Sequence, residues 1–236
     1  MKKRFKVIGI LGGMGPQATI DLYQAIIDKT PATRDQEHIP TIIFSYPQVP
    51  DRTEAIVGEG ESPVPYLIEG AKLLERAGAD FILIPCNTAH HFLPEVEKEV
   101  AIPIVNMIIE TRDYILREKP GIKRVGLLAT TGTIRAKVYH RVFEEKGIEI
   151  LTPNERSQEE LVMRAIYQYV KKSGDIPPAK KLLIEAGRKL IALGSEVIIM
   201  GCTEVPLALE PRDLPVLLVD PKEVIAELAV RMALSP

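Results

Sequence analysis

The 236-residue chain has no tryptophan, only two cysteines, and aromatic residues at 5%. Two cysteines are too few for a disulfide framework, which leaves burial, metal binding or chemistry for Cys86 and Cys202. Charge of neither sign dominates: 30 Lys and Arg face 32 Asp and Glu, a net −2. That balance recommends neither nucleic acid nor an anionic membrane as a partner. No apolar run approaches the roughly 20 residues that span a bilayer. The basic start "MKKRFK" runs into "VIGILGG", too short for a signal peptide. We therefore expect a cytoplasmic protein. Hydrophobic residues at 46% and charged residues at 26% are the mixture of an ordinary globular chain.

Short apolar runs alternate with amphipathic stretches from end to end. The runs cover 5–11, 41–46, 80–85, 102–107, 124–130, 148–153, 196–201 and 214–220. Helical patterns lie near 17–29, 63–77, 108–118, 134–146, 158–172, 178–193 and 222–234. Apolar runs without alternation, separated by helices, suit parallel sheets covered on both faces. The fold class is α/β with right-handed crossovers.

The pattern also repeats. "VIGILGGMGP" answers to "VGLLATTGTI", and "GADFILIPCNTA" to "GSEVIIMGCTEV", with Gly78 and Gly194 each eight residues before a cysteine. A proline-led run, "IPIVNM" or "LPVLLVD", follows each cysteine segment. We expect two similar, pseudo-symmetric domains, each a four-stranded parallel sheet flanked by helices. The boundaries assign 1–106 with 212–236 to the first and 107–211 to the second, the last helix returning to the first domain. The active site is expected in a cleft between them.

Each motif has a plain structural reading beside its functional one. Gly13, Gly15 and Ala18 match a dinucleotide fingerprint, but the second strand ends in Ser45 and Tyr46 rather than an acid. A tight turn whose amides approach a small anion, or simply a tight turn, fits better. Cys86 and Cys202 fall at strand carboxyl ends, where ligands of open parallel sheets bind. Either cysteine alone would pass for core filler; matched Gly, Cys and Thr at fixed offsets make chemistry the stronger reading. Two thiols are too few for structural zinc, and His90 and His91 have no counterpart after Cys202, so we expect no metal. They read as helix-face residues. Arg52 in "PQVPDRT" is either a carboxylate clamp or a surface arginine. Lys171 and Lys172 sit where cations commonly end a helix.

Taken together, "IGILGGMGP", "PDRT", "PCNTAH", "LLATTGT" and "GCTE" resemble the aspartate/glutamate racemase superfamily over essentially the whole chain. "GGMGP" and "PDRT" place the resemblance on its aspartate-racemase side. Glutamate racemases carry an aspartate–serine pair where Gly12 and Gly13 stand, and a histidine where Glu204 stands. The resemblance implies a cofactor-independent racemisation in which Cys86 and Cys202, as thiolate and thiol, serve opposite faces of the α-carbon. It implies an acidic amino acid as small-molecule substrate and a homodimer. Its substrate-binding positions map onto Arg52, Thr53, Asn87, Thr88, Ala89 and Lys171, with Lys172 as rival to the last. Met14, Thr131, Thr133, Thr203 and Glu204 complete the expected pocket.

Three other readings compete. One is a sibling isomerase: a broad-specificity racemase, a hydantoin racemase or a maleate isomerase. Another is a two-lobed binding protein for an acidic amino acid. The third is a thiol–disulfide protein, which would need the sulfurs within disulfide reach.

Overall fold

The computed structural model describes residues 5–235; the basic start (1–4) and the final Pro236 lie outside the described residues. The chain divides into two compact units, residues 1–110 with 222–236, and residues 111–221.

In the first unit, strands β1 (Ile8–Gly12), β2 (Thr41–Ser45) and β3 (Phe81–Leu83) form a parallel sheet in the order β2-β1-β3. β1 is central and wholly buried, whereas the edge strand β2 is only partly covered. Ile8 and Ile10 share one core with Leu22, Ala25 and Ile26 of the helix Pro16–Lys29 and with Ile225, Ala226 and Ala229 of the helix Pro221–Leu234. Leu11 points to the other face, into a core with Leu67, Ala71 and Leu74 of the helix Val64–Arg76. Alternation along one strand thus feeds two apolar layers, as a doubly covered sheet requires.

The second unit holds β4 (Arg124–Leu128), β5 (Glu149–Leu151), β6 (Val197–Met200) and β7 (Leu217–Val219), all parallel, ordered β5-β4-β6-β7. The repeat is therefore topological: second strand, first, third.

Three expectations need correction. The first sheet has three strands rather than four, because "IPIVNM" contributes only a parallel bridge, Ile82 to Ile104. Pro103 accepts from Ile82 N–H but has no N–H to give, and Asn106 then starts a helix. The unit boundaries fall at 110/111 and 221/222, not 106/107 and 211/212. β7 pairs with β6, which holds its residues in the second unit.

The expected helix over 134–146 is two, Thr131–Arg135 and Val138–Glu144, broken at Lys137, whose φ of 54° is left-handed. The stretch 158–173 is helical but π-wound, Gln158–Ser173, an uncommon geometry associated with functional sites.

The repeated glycines end helices. Gly78 (φ 94°) and Gly194 (φ 96°) stand just past Val64–Arg76 and Ile176–Ala192. Gly78 N–H bonds Glu75 O while Ala79 N–H bonds Leu74 O; Gly194 and Ser195 do the same with Ile191 and Leu190. This is one helix stop used twice, the Schellman arrangement. Each aims the chain into a strand that delivers a cysteine.

Candidate active site

Because all strands in a sheet run parallel, their carboxyl ends share one edge, and each unit carries its motif residues there. In the first unit, β1 ends in the turn Gly12-Gly13-Met14. Gly13 has φ 91°, and a Cβ there would collide with the Tyr46 backbone. Its N–H is taken by Thr19 Oγ1 at 2.9 Å, and Pro16 has no N–H. Two of the amides that an anion at this turn would use are thus committed or missing. Met14 is buried in the core that also contains Cys86.

After β2, Asp51 caps the short helix Arg52–Val57, Oδ1 accepting from Thr53 N–H at 2.7 Å and Glu54 N–H at 3.1 Å. Arg52 Nη1 donates to Val49 O (3.0 Å) and Pro50 O (2.8 Å), so part of the guanidinium braces its own loop.

Cys86 follows β3. It is 7% exposed, and Asn87, Thr88, Ala89 and His90 after it are also buried. Cys86 N–H bonds Ile84 O, and His90 Nδ1 lies 2.8 Å from Cys86 O. His91 packs edge-on against Phe92.

In the second unit, Thr130 caps Thr131–Arg135, its Oγ1 accepting from Thr133 N–H at 3.3 Å. Thr133, expected in the pocket, is fully buried, with its hydroxyl 3.1 Å from that of Thr130. Thr131 faces the π-helix: Oγ1 donates to Glu159 Oε1 at 2.9 Å, and its N–H to Met163 Sδ at 3.3 Å.

Cys202, 8% exposed, follows β6. Its Sγ donates to Glu204 Oε2 at 2.8 Å, and Thr203 Oγ1 donates to the same oxygen at 3.1 Å. Lys171 Nζ reaches Glu204 Oε1 at 3.6 Å and lies 4.6 Å from the Tyr167 ring centroid. Burial pushes the Cys202 thiol well above its ordinary value; the Glu204 charge adds to that and Lys171 opposes it. Cys202 is thus held as a thiol beside a carboxylate. Glu204, expected as a pocket residue, is bonded to the cysteine itself. Lys171 reaches it from the π-helix, although Lys171 and Lys172 are both exposed.

The expected residues therefore gather in two sets. Met14, Arg52, Thr53, Cys86, Asn87, Thr88 and Ala89 belong to the first unit; Thr131, Thr133, Lys171, Cys202, Thr203 and Glu204 belong to the second. Glu159, Met163 and Tyr167 escaped the sequence reading. They precede Lys171 at four-residue steps along the helix Gln158–Ser173. Among the described residues, no cluster of three or more His, Cys, Asp or Glu is placed to hold a metal ion, and no helix is long and apolar enough to cross a membrane.

A family model described as Asp/Glu/hydantoin racemase matches residues 11–229. The chain belongs to that family. It is an amino-acid racemase, an isomerase acting on small amino-acid substrates. Among solved structures, the aspartate racemase of Picrophilus torridus superposes with a TM-score of 0.83 at 30% identity, covering 96% of this chain and 93% of that one. An aspartate racemase homologue from Pyrococcus horikoshii superposes with a TM-score of 0.78 at 30% identity, covering 96% and 98%. The broad specificity amino-acid racemase RacX of Bacillus subtilis is 26% identical over 97% of this chain and 99% of its own length. The α/β fold with two pseudo-symmetric domains is thus that of the racemases.

Proposed function

We propose that this racemase interconverts L- and D-aspartate without a cofactor, using Cys86 and Cys202 as its two acid–base groups. One observation carries the reading: each unit places its single cysteine directly after the same strand of the repeat, β3 or β6. Inversion at a carbon needs a base on one face and an acid on the other, and a duplicated strand end offers one thiol to each role.

In one direction a thiolate at Cys86 takes the α-proton and becomes a thiol. The electron pair left on the α-carbon is held as a planar carbanion, and the Cys202 thiol protonates its opposite face. This leaves a thiol at Cys86 and a thiolate at Cys202, from which the reverse reaction runs with the two roles exchanged; Glu204, bonded to Cys202, controls how readily that thiolate forms. The carbanion is the costly species, so donors directed at the substrate carboxylate must stabilise it. Arg52 and Lys171 are the cations for two carboxylates; Lys171 would exchange its contact with Glu204 for one with substrate. Asn87, Thr88 and Thr203 add neutral donors, with Thr53, Ala89, Met14, Thr131 and Thr133 shaping the pocket. We place the enzyme in the cytoplasm, where thiols stay reduced, and as a homodimer.

The test is incubation of L-aspartate with reduced enzyme in D₂O, following α-deuterium by NMR and D-aspartate by chiral chromatography. Deuterium at the α-carbon together with D-aspartate is the expected result, and no exchange with any amino acid would remove the proposal. The RacX relative supports a second reading, broad specificity. The same assay over glutamate and neutral amino acids decides it: comparable exchange across the panel favours breadth, and a preference for aspartate favours the dicarboxylate pair.

A further inference from the structure

The Cys86 half-site contains a titratable side chain that two-thiol chemistry leaves unused. His90 is buried, and both ring nitrogens are committed. Nδ1 lies 2.8 Å from Cys86 O, and Met107 N–H donates to Nε2 at 3.1 Å. A backbone N–H can only donate, so Nε2 is the acceptor and Nδ1 carries the single ring proton, given to the Cys86 carbonyl. Burial pushes the ring below the usual histidine range, against hydrogen bonds to backbone that pull the other way.

The far end of the ring explains why the position is demanding. The helix Met107–Glu118 starts with N–H groups that have no partner inside the helix. Asn106 Oδ1 accepts those of Ile108 (3.1 Å) and Ile109 (3.2 Å), and Glu110 N–H reaches Asn106 O. Met107 N–H is the one that His90 takes. The imidazole therefore completes a helix cap and clamps the Cys86 carbonyl at once. The Cys86 N–H is meanwhile held by Ile84 O at 2.8 Å. With both its N–H and its carbonyl anchored, Cys86 keeps only side-chain rotation to move its sulfur.

The second copy of the repeat is built differently. The Cys202 carbonyl accepts the backbone N–H of Val205, and proline stands at 206, the position matching His90.

We propose that His90 is a positioning residue for Cys86: it aims the sulfur by tying the Cys86 carbonyl to the start of the helix Met107–Glu118, and it transfers no proton in the reaction. This rests on Cys86 being one of the two acid–base thiols.

His90→Phe keeps ring bulk and removes both bonds. The expected result is a kcat lower by about a hundredfold, as a misplacement near 1 Å produces, with KM within about twofold and the limbs of the pH–rate profile unmoved. His90→Gln, whose amide can still donate to Cys86 O, should recover part of the loss. Wild-type kcat in His90→Phe, or loss of one limb of the profile, would overturn the proposal.

Two readouts need no turnover. In a Cys202→Ala background, iodoacetamide should alkylate Cys86 at a rate changed about tenfold by His90→Phe; an unchanged rate counts against the clamp. In unmutated protein labelled with ¹⁵N-histidine, His90 should show a protonated Nδ1 and an unprotonated Nε2 that persist below the usual histidine value of about 6.5. The opposite tautomer, or ordinary titration, would overturn the assignment even if every variant failed to fold. If the wild type exchanged no amino acid, the two-thiol reading would fall, while these two readouts would still decide the placement of His90.

Discussion

At the scale of single residues, the decisive contact is Cys202 Sγ to Glu204 Oε2, 2.8 Å. A thiolate and a carboxylate at that distance would repel, so the Glu204 charge adds to burial in holding the proton on Cys202. Glu204→Gln removes the charge and supplies an amide N–H that favours thiolate. In a Cys86→Ala background, the pH midpoint for alkylation of Cys202 should fall by about one to two units; an unmoved midpoint would remove Glu204 as a group that raises Cys202. Cys86→Ala and Cys202→Ala should each lower racemisation in both directions by at least about a thousandfold, read by chiral chromatography. Each should keep one-sided exchange or elimination with a suitable analogue, because only one face is disarmed. Wild-type racemisation by either variant would exclude that cysteine. The cysteines were legible in sequence because their surroundings recur. His90 was legible only as a helix-face residue, since its two partners, Cys86 O and Met107 N–H, are backbone groups that carry no sequence signature.

At the scale of elements, the π-helix Gln158–Ser173 brings Glu159, Met163 and Lys171 to the ends of β4 and β6. Sequence periodicity marks a helix there but cannot separate α from π winding over so short a stretch. It therefore left Lys172 standing as a rival to Lys171. Lys171→Ala should raise the alkylation midpoint of Cys202 further, since its charge opposes the upward push, whereas Lys172→Ala should leave it unchanged. Equal effects from the two would undo the assignment. Of only three asparagines in the chain, Asn106 and Asn154 accept N–H bonds at helix starts, and Asn87 stands beside Cys86. Asn154→Ala should cost about 1 kcal/mol in urea unfolding, the usual loss for a cap, without moving kcat.

At the scale of the molecule, buried titrating groups bound the stable pH range on both sides. His90 is less basic folded than unfolded. Below about pH 6.5 the unfolded chain therefore binds a proton that the folded chain refuses. Stability from this group is complete above that value and falls by about 1.4 kcal/mol per pH unit beneath it, until the folded histidine itself titrates. The Cys202 thiol is raised, so its contribution is complete below about pH 8.5 and is lost as pH rises beyond that. Urea midpoints measured from pH 5 to 10 should pass through a maximum between these limits. His90→Phe should flatten the acid side, and Cys202→Ala the alkaline side. A wild-type curve that keeps rising past pH 9 would contradict the Cys202 placement.

By itself the sequence determined the α/β class, the twofold repeat, both strand-end cysteines and the family resemblance. Those features are written in local apolar period and in residue types at matched offsets. Only the tertiary structure decided that the first sheet stops at three strands, that residues 212–221 stay with the second unit, and that Glu204 bonds Cys202. Only there does Lys171 meet Glu204 and His90 acquire two backbone partners. Each of these depends on which groups meet after folding, and strand pairing, helix winding and long-range hydrogen bonds leave no periodic trace along the chain.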